Sequence, residues 1–79
     1  MNKEQVFELI TRHACEVLPE LENHTFKFED SLRDLGANSI DRSEIVMMTL
    51  ESLSLNIPMI AIARAENMGE LASILHEKL

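Results

Sequence analysis

The chain has 79 residues, 46% of them hydrophobic and only three aromatic, which predicts one small domain over residues 1–79 with an aliphatic core. Fourteen acidic against seven basic residues give a net charge of −7, which argues against nucleic-acid or anionic-membrane partners because both attract Lys and Arg. A single cysteine, no signal-peptide pattern and no membrane-spanning run favour a cytoplasmic protein, and we also expect a monomer.

The first predicted element is an amphipathic helix over residues 3–18. Asn2 with Gln5 three residues later is typical of a capping box, and Pro19 stops the helix. Charged residues occupy one side of this helix, and apolar residues recur at helical spacing on the other. The side predicted to face the core consists of Val6, Phe7, Ile10, Ala14, Val17 and Leu18.

A long connection over residues 19–37 follows, and a loop of this length in a compact domain is often functional. Within it, residues 30–36 predict a short helical turn capped by Asp30 or Ser31 and ended by Gly36. Apolar residues are expected to hold the connection against the helices: Leu21, Phe26, Phe28, Leu32 and Leu35.

The second predicted helix covers residues 39–54, with Asn38 as its N-cap and Asp41 at the third helical position. After it, Ile57 is expected to be buried and Pro58 prevents the helix from continuing. The inward stripe of this helix is predicted to be Ile45, Val46, Thr49, Leu50 and Leu53.

Two elements are predicted in the rest of the chain. Residues 59–67 could hold a short helix or a strand, whereas a last helix begins after Asn67, with Glu70 completing a capping box. Its core side is predicted to be Leu71, Ile74, Leu75 and Leu79. The expected fold is all-α, a small four-helix bundle with three main helices, one short helix and a long first loop.

Ser39 is the first candidate site residue. A serine at a helix start is most often a cap, but Asn38 already fills that role and leaves the Ser39 hydroxyl free to face solvent. The amides of the first turn and the positive end of the helix dipole would accommodate a phosphate there. These properties allow a phosphoester on Ser39 but do not demand it.

Other chemistries have weaker support. There is no Gly-x-Ser-x-Gly elbow, and no histidine is visibly tied to Ser39, which disfavours a hydrolytic nucleophile. His13 and Cys15 are two residues apart and would diverge on a helix, which disfavours a metal site. Met47 shares a helix face with Ser43, Glu44 and Glu51, which suits either an adaptable docking surface or an ordinary solvated face.

The stretch "LGANSIDRSEIVMMTLE", followed by "LNIP" and "AENMGELASIL", resembles the acyl carrier protein family. The family hallmark is Asp-Ser-Leu after Leu-Gly, an acidic residue five positions after the serine, and a later Ile-Pro. This chain has Asn38-Ser39-Ile40, with Glu44 and Ile57-Pro58 in register. The resemblance implies that Ser39 carries 4′-phosphopantetheine, added from coenzyme A by a phosphopantetheinyl transferase, and that the protein is not an enzyme.

The resemblance also implies a partner-binding face on the second helix. Asn38, Arg42 and Ser43 depart from the usual family residues and are expected to select particular partners. The implied partner-binding residues are Asn38, Ile40, Asp41, Arg42, Ser43, Glu44, Met47 and Glu51.

Within the family, "NSIDRSEIVMM", "SLNIP" and "ARAENMGELA" resemble the stand-alone donor carriers of bacterial polyketide β-branching, a step in antibiotic biosynthesis. Such a carrier receives malonyl from an acyltransferase, a ketosynthase-like enzyme decarboxylates it to acetyl, and an HMG-CoA synthase-like enzyme takes the acetyl. The alternatives are a carrier for fatty-acid, aminoacyl or D-alanyl transfer, and a small helical adaptor without a prosthetic group.

Overall fold

A computed structural model describes all 79 residues and contains four α-helices and no β-strand. The predicted all-α bundle with a long first loop is therefore confirmed, and the alternative of a strand after Pro58 is excluded. None of the helices has the length and apolar character needed to cross a membrane. The helices are α1 (Lys3–Val17), α2 (Ser39–Ser52), α3 (Met59–Ile62) and α4 (Met68–Glu77), and a 3₁₀ turn (Pro19–Leu21) follows α1.

The core lies where α1 packs against both α2 and α4. Its fully buried members include Val6 and Ile10 of α1, Ile45 of α2 and Leu75 of α4. Thr49 is also fully buried, and its hydroxyl donates a hydrogen bond to the Ile45 carbonyl at 2.8 Å, so this hydroxyl is not left unpaired. The predicted inward stripe of α2 is therefore confirmed, with Leu53 only half-buried.

Side-chain caps fix where the long helices begin. At α1 the predicted box is present, because Asn2 Oδ1 accepts from the Gln5 amide at 2.8 Å and Gln5 Oε1 accepts from the Asn2 amide at 2.9 Å. At α4, Asn67 caps as predicted, but the predicted box is wrong. The Glu70 carboxylate accepts from the backbone amide of Glu66 at 3.1 Å and from the side-chain amide of Asn67 at 3.4 Å, but not from the backbone amide of Asn67 as a capping box requires.

Three further expectations need correction. The second helix ends at Ser52, because Ser54 adopts a left-handed backbone (φ 54°) and Leu55 donates to the Leu50 carbonyl at 2.9 Å. Ile57 is half-buried and not buried. Leu79, predicted to face the core, is exposed because it follows the end of α4.

The long connection is held by its apolar residues, although unequally. Leu21 and Leu32 are buried and Phe26 and Leu35 are half-buried against the core, as predicted. Phe28 is 42% exposed, and its ring packs edge-to-face on Phe7 of α1, with 4.6 Å between ring centroids. The connection is therefore a packed segment that sets the position of α2.

The predicted helical turn at residues 30–36 forms hydrogen-bonded turns and not a helix. Gly36, with φ 105°, ends it as predicted, and Ala37 donates to the Leu32 carbonyl at 3.0 Å. Ser31 accepts weakly from the Asp34 amide at 3.5 Å. Asp30 does not cap this turn, because its carboxylate is bound to the preceding part of the loop.

Candidate functional site

Ser39 is exposed at the first position of α2. The helix is capped without it: Asn38 Oδ1 accepts from the Asp41 amide at 2.8 Å, and Asp41 Oδ2 accepts from the Asn38 amide at 3.2 Å. The predicted N-cap is thus confirmed, and the reciprocal bonds form a complete capping box. The Ser39 hydroxyl is consequently not required for capping.

This helix start fits a phosphate on Ser39. The first turn of a helix has amides without an intrahelical partner, and the box occupies two of them, those of Asn38 and Asp41. The amides of Ser39 and Ile40 remain available to a phosphate oxygen at the positive end of the helix dipole. An exposed hydroxyl beside two free amides suits a covalent phosphodiester.

A groove of about 900 Å³ opens beside Ser39. One wall is α2, which contributes Arg42, Ser43 and Val46 as well as Ser39. The opposite wall is the segment from α3 to the start of α4, including Met59 and Leu71. The groove is therefore a mixed polar and apolar channel that begins at the candidate attachment point.

A different edge of α2 faces solvent. Ile40 is 74% exposed and Met47 is 61% exposed, and Glu44 and Glu51 are exposed with them. These four residues follow the helical repeat with spacings of four, three and four, so they share one face. We call this set of Ile40, Glu44, Met47 and Glu51 the exposed stripe. It combines two solvent-exposed apolar side chains with two carboxylates.

The structure divides the predicted partner-binding residues into three groups. Asn38 and Asp41 bind one another in the capping box. Arg42, which is half-buried, and Ser43 line the groove. The exposed stripe, like Ser43, is exposed to solvent and has no structural task, but it lies outside the groove.

Sequence reasoning did not identify the outer side of α3. Ile60 is 81% exposed and the neighbouring Met59 is also exposed, although Met59 lines the groove as well. A four-residue helix is too short for a periodic pattern to separate its inner and outer sides. The one available signal was the run of apolar residues directly after Pro58.

Two further titratable residues, His13 and Cys15, lie away from Ser39 on α1. His13 is buried and its Nε2 lies 2.9 Å from Ser52 Oγ, so it joins α1 to the end of α2. Cys15 is half-buried, and burial followed by the nearby Glu22 carboxylate raises the pKa of its thiol. No group of three or more His, Cys, Asp or Glu residues is arranged to hold a metal ion.

The comparison with known families identifies the class of protein. A profile described as a phosphopantetheine attachment site matches residues 8–75. The chain belongs to this acyl carrier family. Membership confirms the predicted cofactor, covalent phosphopantetheine, and establishes the protein as a carrier and not a catalyst.

Individual acyl carrier proteins resemble this one along its whole length. Over 79 residues it is 51% identical to the polyketide biosynthesis acyl carrier protein AcpK of Bacillus subtilis (strain 168), covering 96% of that protein. It is 28% identical to an acyl carrier protein of Guillardia theta, covering 98% of it. A chain in the crystal structure of the curacin-pathway HMG synthase in complex with its acetyl donor carrier protein is 49% identical, with a TM-score of 0.95. That alignment covers 99% of this chain and 100% of the other.

Proposed function

We propose that Ser39 carries the phosphopantetheine arm. The observation that carries this proposal is the capping box, which leaves an exposed hydroxyl and the amides of Ser39 and Ile40 at the head of α2. When bound, the arm supplies a terminal thiol that holds an acyl group as a thioester. The protein's own contribution is to fix the attachment point on a rigid helix and to orient the phosphodiester with backbone amides.

We further propose that the carrier donates acetyl to an HMG-CoA synthase-like enzyme in bacterial polyketide β-branching. Two similarities support this role. One is the 51% identity to a polyketide carrier, and the other is the likeness to a chain from the complex of an HMG synthase with its acetyl donor. The alignment includes 99% of this chain and the whole of the matched chain, so the matched chain has the size of a carrier protein.

The exposed stripe is the surface we assign to partner enzymes. Exposed Met and Ile side chains give adaptable apolar contacts, and the flanking carboxylates attract basic patches and speed encounter. The enzymes that act before the synthase would be a phosphopantetheinyl transferase, an acyltransferase that loads malonyl, and a ketosynthase-like decarboxylase. The proposed setting is the cytoplasm, with the carrier acting as a monomer and as a single domain over residues 1–79.

Attachment is tested by mass. The apo protein is incubated with coenzyme A and a broad-specificity phosphopantetheinyl transferase, and its intact mass is measured before and after. We expect a gain of one phosphopantetheine group in the wild type and none in Ser39→Ala. Ser43→Ala is the matched control, because Ser43 lies one turn further along the same groove wall. A gain that persists in Ser39→Ala would refute the assignment.

The donor role is tested by transfer. The acetyl-loaded carrier is mixed with a β-branching HMG-CoA synthase-like enzyme, and acetyl loss from the carrier is followed by mass. An acetyl-loaded fatty-acid carrier protein is the comparison. We expect transfer from this carrier to be at least tenfold more efficient. Equal transfer from both carriers would contradict a dedicated donor role while leaving the attachment site intact.

A further inference from the structure

Arg42 is a cation that the proposed function leaves without a role. It is half-buried in the groove wall, one helical turn after Ser39. The protein has three ion pairs, and Arg42 belongs to none of them. Buried or partly buried charges are normally paired, and this chain has fourteen acidic residues from which a partner could be drawn.

The acidic residues of the groove do not neutralise Arg42. Glu29, Asp34 and Glu66 line the same groove, but none forms an ion pair with Arg42 within 4.0 Å. Asp34 instead lies 3.8 Å from Nε of Arg33, a side chain that is 76% exposed on the connecting loop. Arg42 is thus a cation that lies in the groove, is held on a rigid helix and is not paired with a carboxylate.

Helix geometry directs Arg42 toward the attachment point. Residues three apart on a helix share a face, with about 5–6 Å between their Cβ atoms. The phosphorus of a phosphoester is bonded directly to Ser39 Oγ, so the phosphodiester cannot move away from the head of α2. A guanidinium at position 42 can reach it, and its planar N–H groups match two phosphate oxygens.

We propose that Arg42 pairs with the phosphodiester of the arm on Ser39 and thereby directs the arm into the groove. In this role Arg42 is a positioning residue that acts within the carrier. The inference rests on the proposed attachment at Ser39. It changes the expectation that Arg42 selects partners by direct contact, because its guanidinium would be occupied on the groove side, away from the exposed stripe.

The test uses the holo protein and nuclear magnetic resonance. Holo forms of the wild type, Arg42→Gln, Arg42→Lys and Arg33→Gln are prepared, and attachment is confirmed for each by intact mass. The ³¹P resonance of the phosphodiester and the Arg42 Nε–H resonance are recorded at low salt and at about 1 M salt, where the Debye length falls to about 3 Å. Spectra of the apo forms establish that each variant is folded.

We expect attachment to shift the Arg42 Nε–H resonance, and high salt to reverse part of that shift. Arg42→Gln should move the ³¹P resonance and remove its salt dependence, whereas Arg42→Lys should retain part of it. Arg33→Gln removes the same charge from the same groove and should leave the ³¹P resonance as in the wild type.

Two results would overturn the inference. One is an Arg42 Nε–H resonance that is the same in the apo and holo wild type. The other is a ³¹P resonance that responds equally to Arg42→Gln and Arg33→Gln, since that would reflect general charge only. If mass shows attachment at Ser39 while the spectra fail, the inference alone is wrong. If no attachment occurs at Ser39, both the inference and the proposed function are wrong.

Discussion

The backbone amide of Gly69 donates a hydrogen bond to the carbonyl of Phe28 at 2.8 Å, at a contact that has no room for a side chain. A Cβ atom on Gly69 would lie 2.9 Å from Phe28 Cβ and 3.0 Å from its carbonyl oxygen. The adjacent amide of Met68 donates to the Asp30 carbonyl, also at 2.8 Å. The first turn of α4 is therefore capped by the long connection, and this contact fixes the connection in place.

We expect Gly69→Ala to destabilise the protein by about 1–3 kcal/mol, because the added methyl group must push the Phe28 backbone away. Helix propensity alone predicts the opposite sign, since Ala is favoured over Gly in a helix by about 1 kcal/mol. Urea unfolding followed by circular dichroism decides between them. Ser73→Ala, on the same helix, is the control and should change the free energy of unfolding little. A more stable Gly69→Ala protein would contradict the tight contact.

Replacing Ser54 with glycine should stabilise the protein. Its left-handed backbone (φ 54°) closes the end of α2, a position where glycine is strongly preferred because it lacks Cβ. We expect Ser54→Gly to raise the free energy of unfolding by about 0.5–1 kcal/mol. Ser43→Gly, at an exposed position inside α2, should lower it instead. If both substitutions lower stability, the left-handed conformation of Ser54 is not the dominant factor.

Asp30 should make part of the stability depend on pH. His24 Nε2 lies 3.0 Å from Asp30 Oδ2, and the Lys27 amide donates to the same oxygen at 2.9 Å. These bonds, the His24 bond foremost, lower the pKa of the Asp30 carboxyl. The folded protein thus binds the Asp30 proton less readily than the unfolded chain does. This stabilisation is fully present above the ordinary Asp pKa of about 3.9 and is lost as pH falls through the lowered value.

The Asp30 contribution is measured by urea unfolding at several pH values from about 6 to about 2.5. We expect Asp30→Asn to be less stable than the wild type at the upper end and to lose less stability on acidification. Asp34→Asn, an exposed carboxylate in the same loop, is the control and should follow the wild-type profile. Parallel profiles for the wild type and Asp30→Asn would show that the loop bonds do not stabilise the folded state.

Met47 should affect partner binding without affecting the fold. Its side chain is exposed on the exposed stripe, so Met47→Ser should change the free energy of unfolding by less than about 0.5 kcal/mol. We expect the KM for the acetyl-loaded carrier in transfer to the synthase-like enzyme to rise by about five- to tenfold, with kcat retained. Leu79→Ser is the control, because Leu79 is exposed beyond the end of α4. Equal KM values for Met47→Ser and the wild type would show that Met47 is not part of the interface.

Local patterns in the sequence were sufficient to predict most helix starts and the core. Asn2 with Gln5 and Asn38 with Asp41 are local signals, because each cap bonds a residue only three positions away. The periodic apolar residues of α2 likewise predicted the burial of Ile45. Ser39 could be singled out as a candidate for the same reason, because the freedom of its hydroxyl depends on the adjacent cap and not on distant contacts.

The features missed in the sequence depend on a choice between nearby partners, on an unusual residue at a turn, or on distant contacts. Glu70 departs from the capping-box pattern because its carboxylate binds the Glu66 amide, a choice that the spacing does not determine. The end of α2 was placed too late because Ser54, and not glycine, takes the left-handed position. The orientation of Arg42 toward the groove could not be predicted, since the groove forms only where the segment from α3 to the start of α4 lies opposite α2.

The separation of the two edges of α2 bears on how such carriers can diverge. The exposed stripe contributes no side chain to the hydrophobic core, and Ser39 and Arg42 lie on the other edge. If the stripe is the partner surface as proposed, substitutions along it would change which enzymes bind at little cost to folding, and they would leave the Ser39 hydroxyl in place. Carriers with the same fold could in this way serve separate biosynthetic pathways, each with its own set of residues along the stripe.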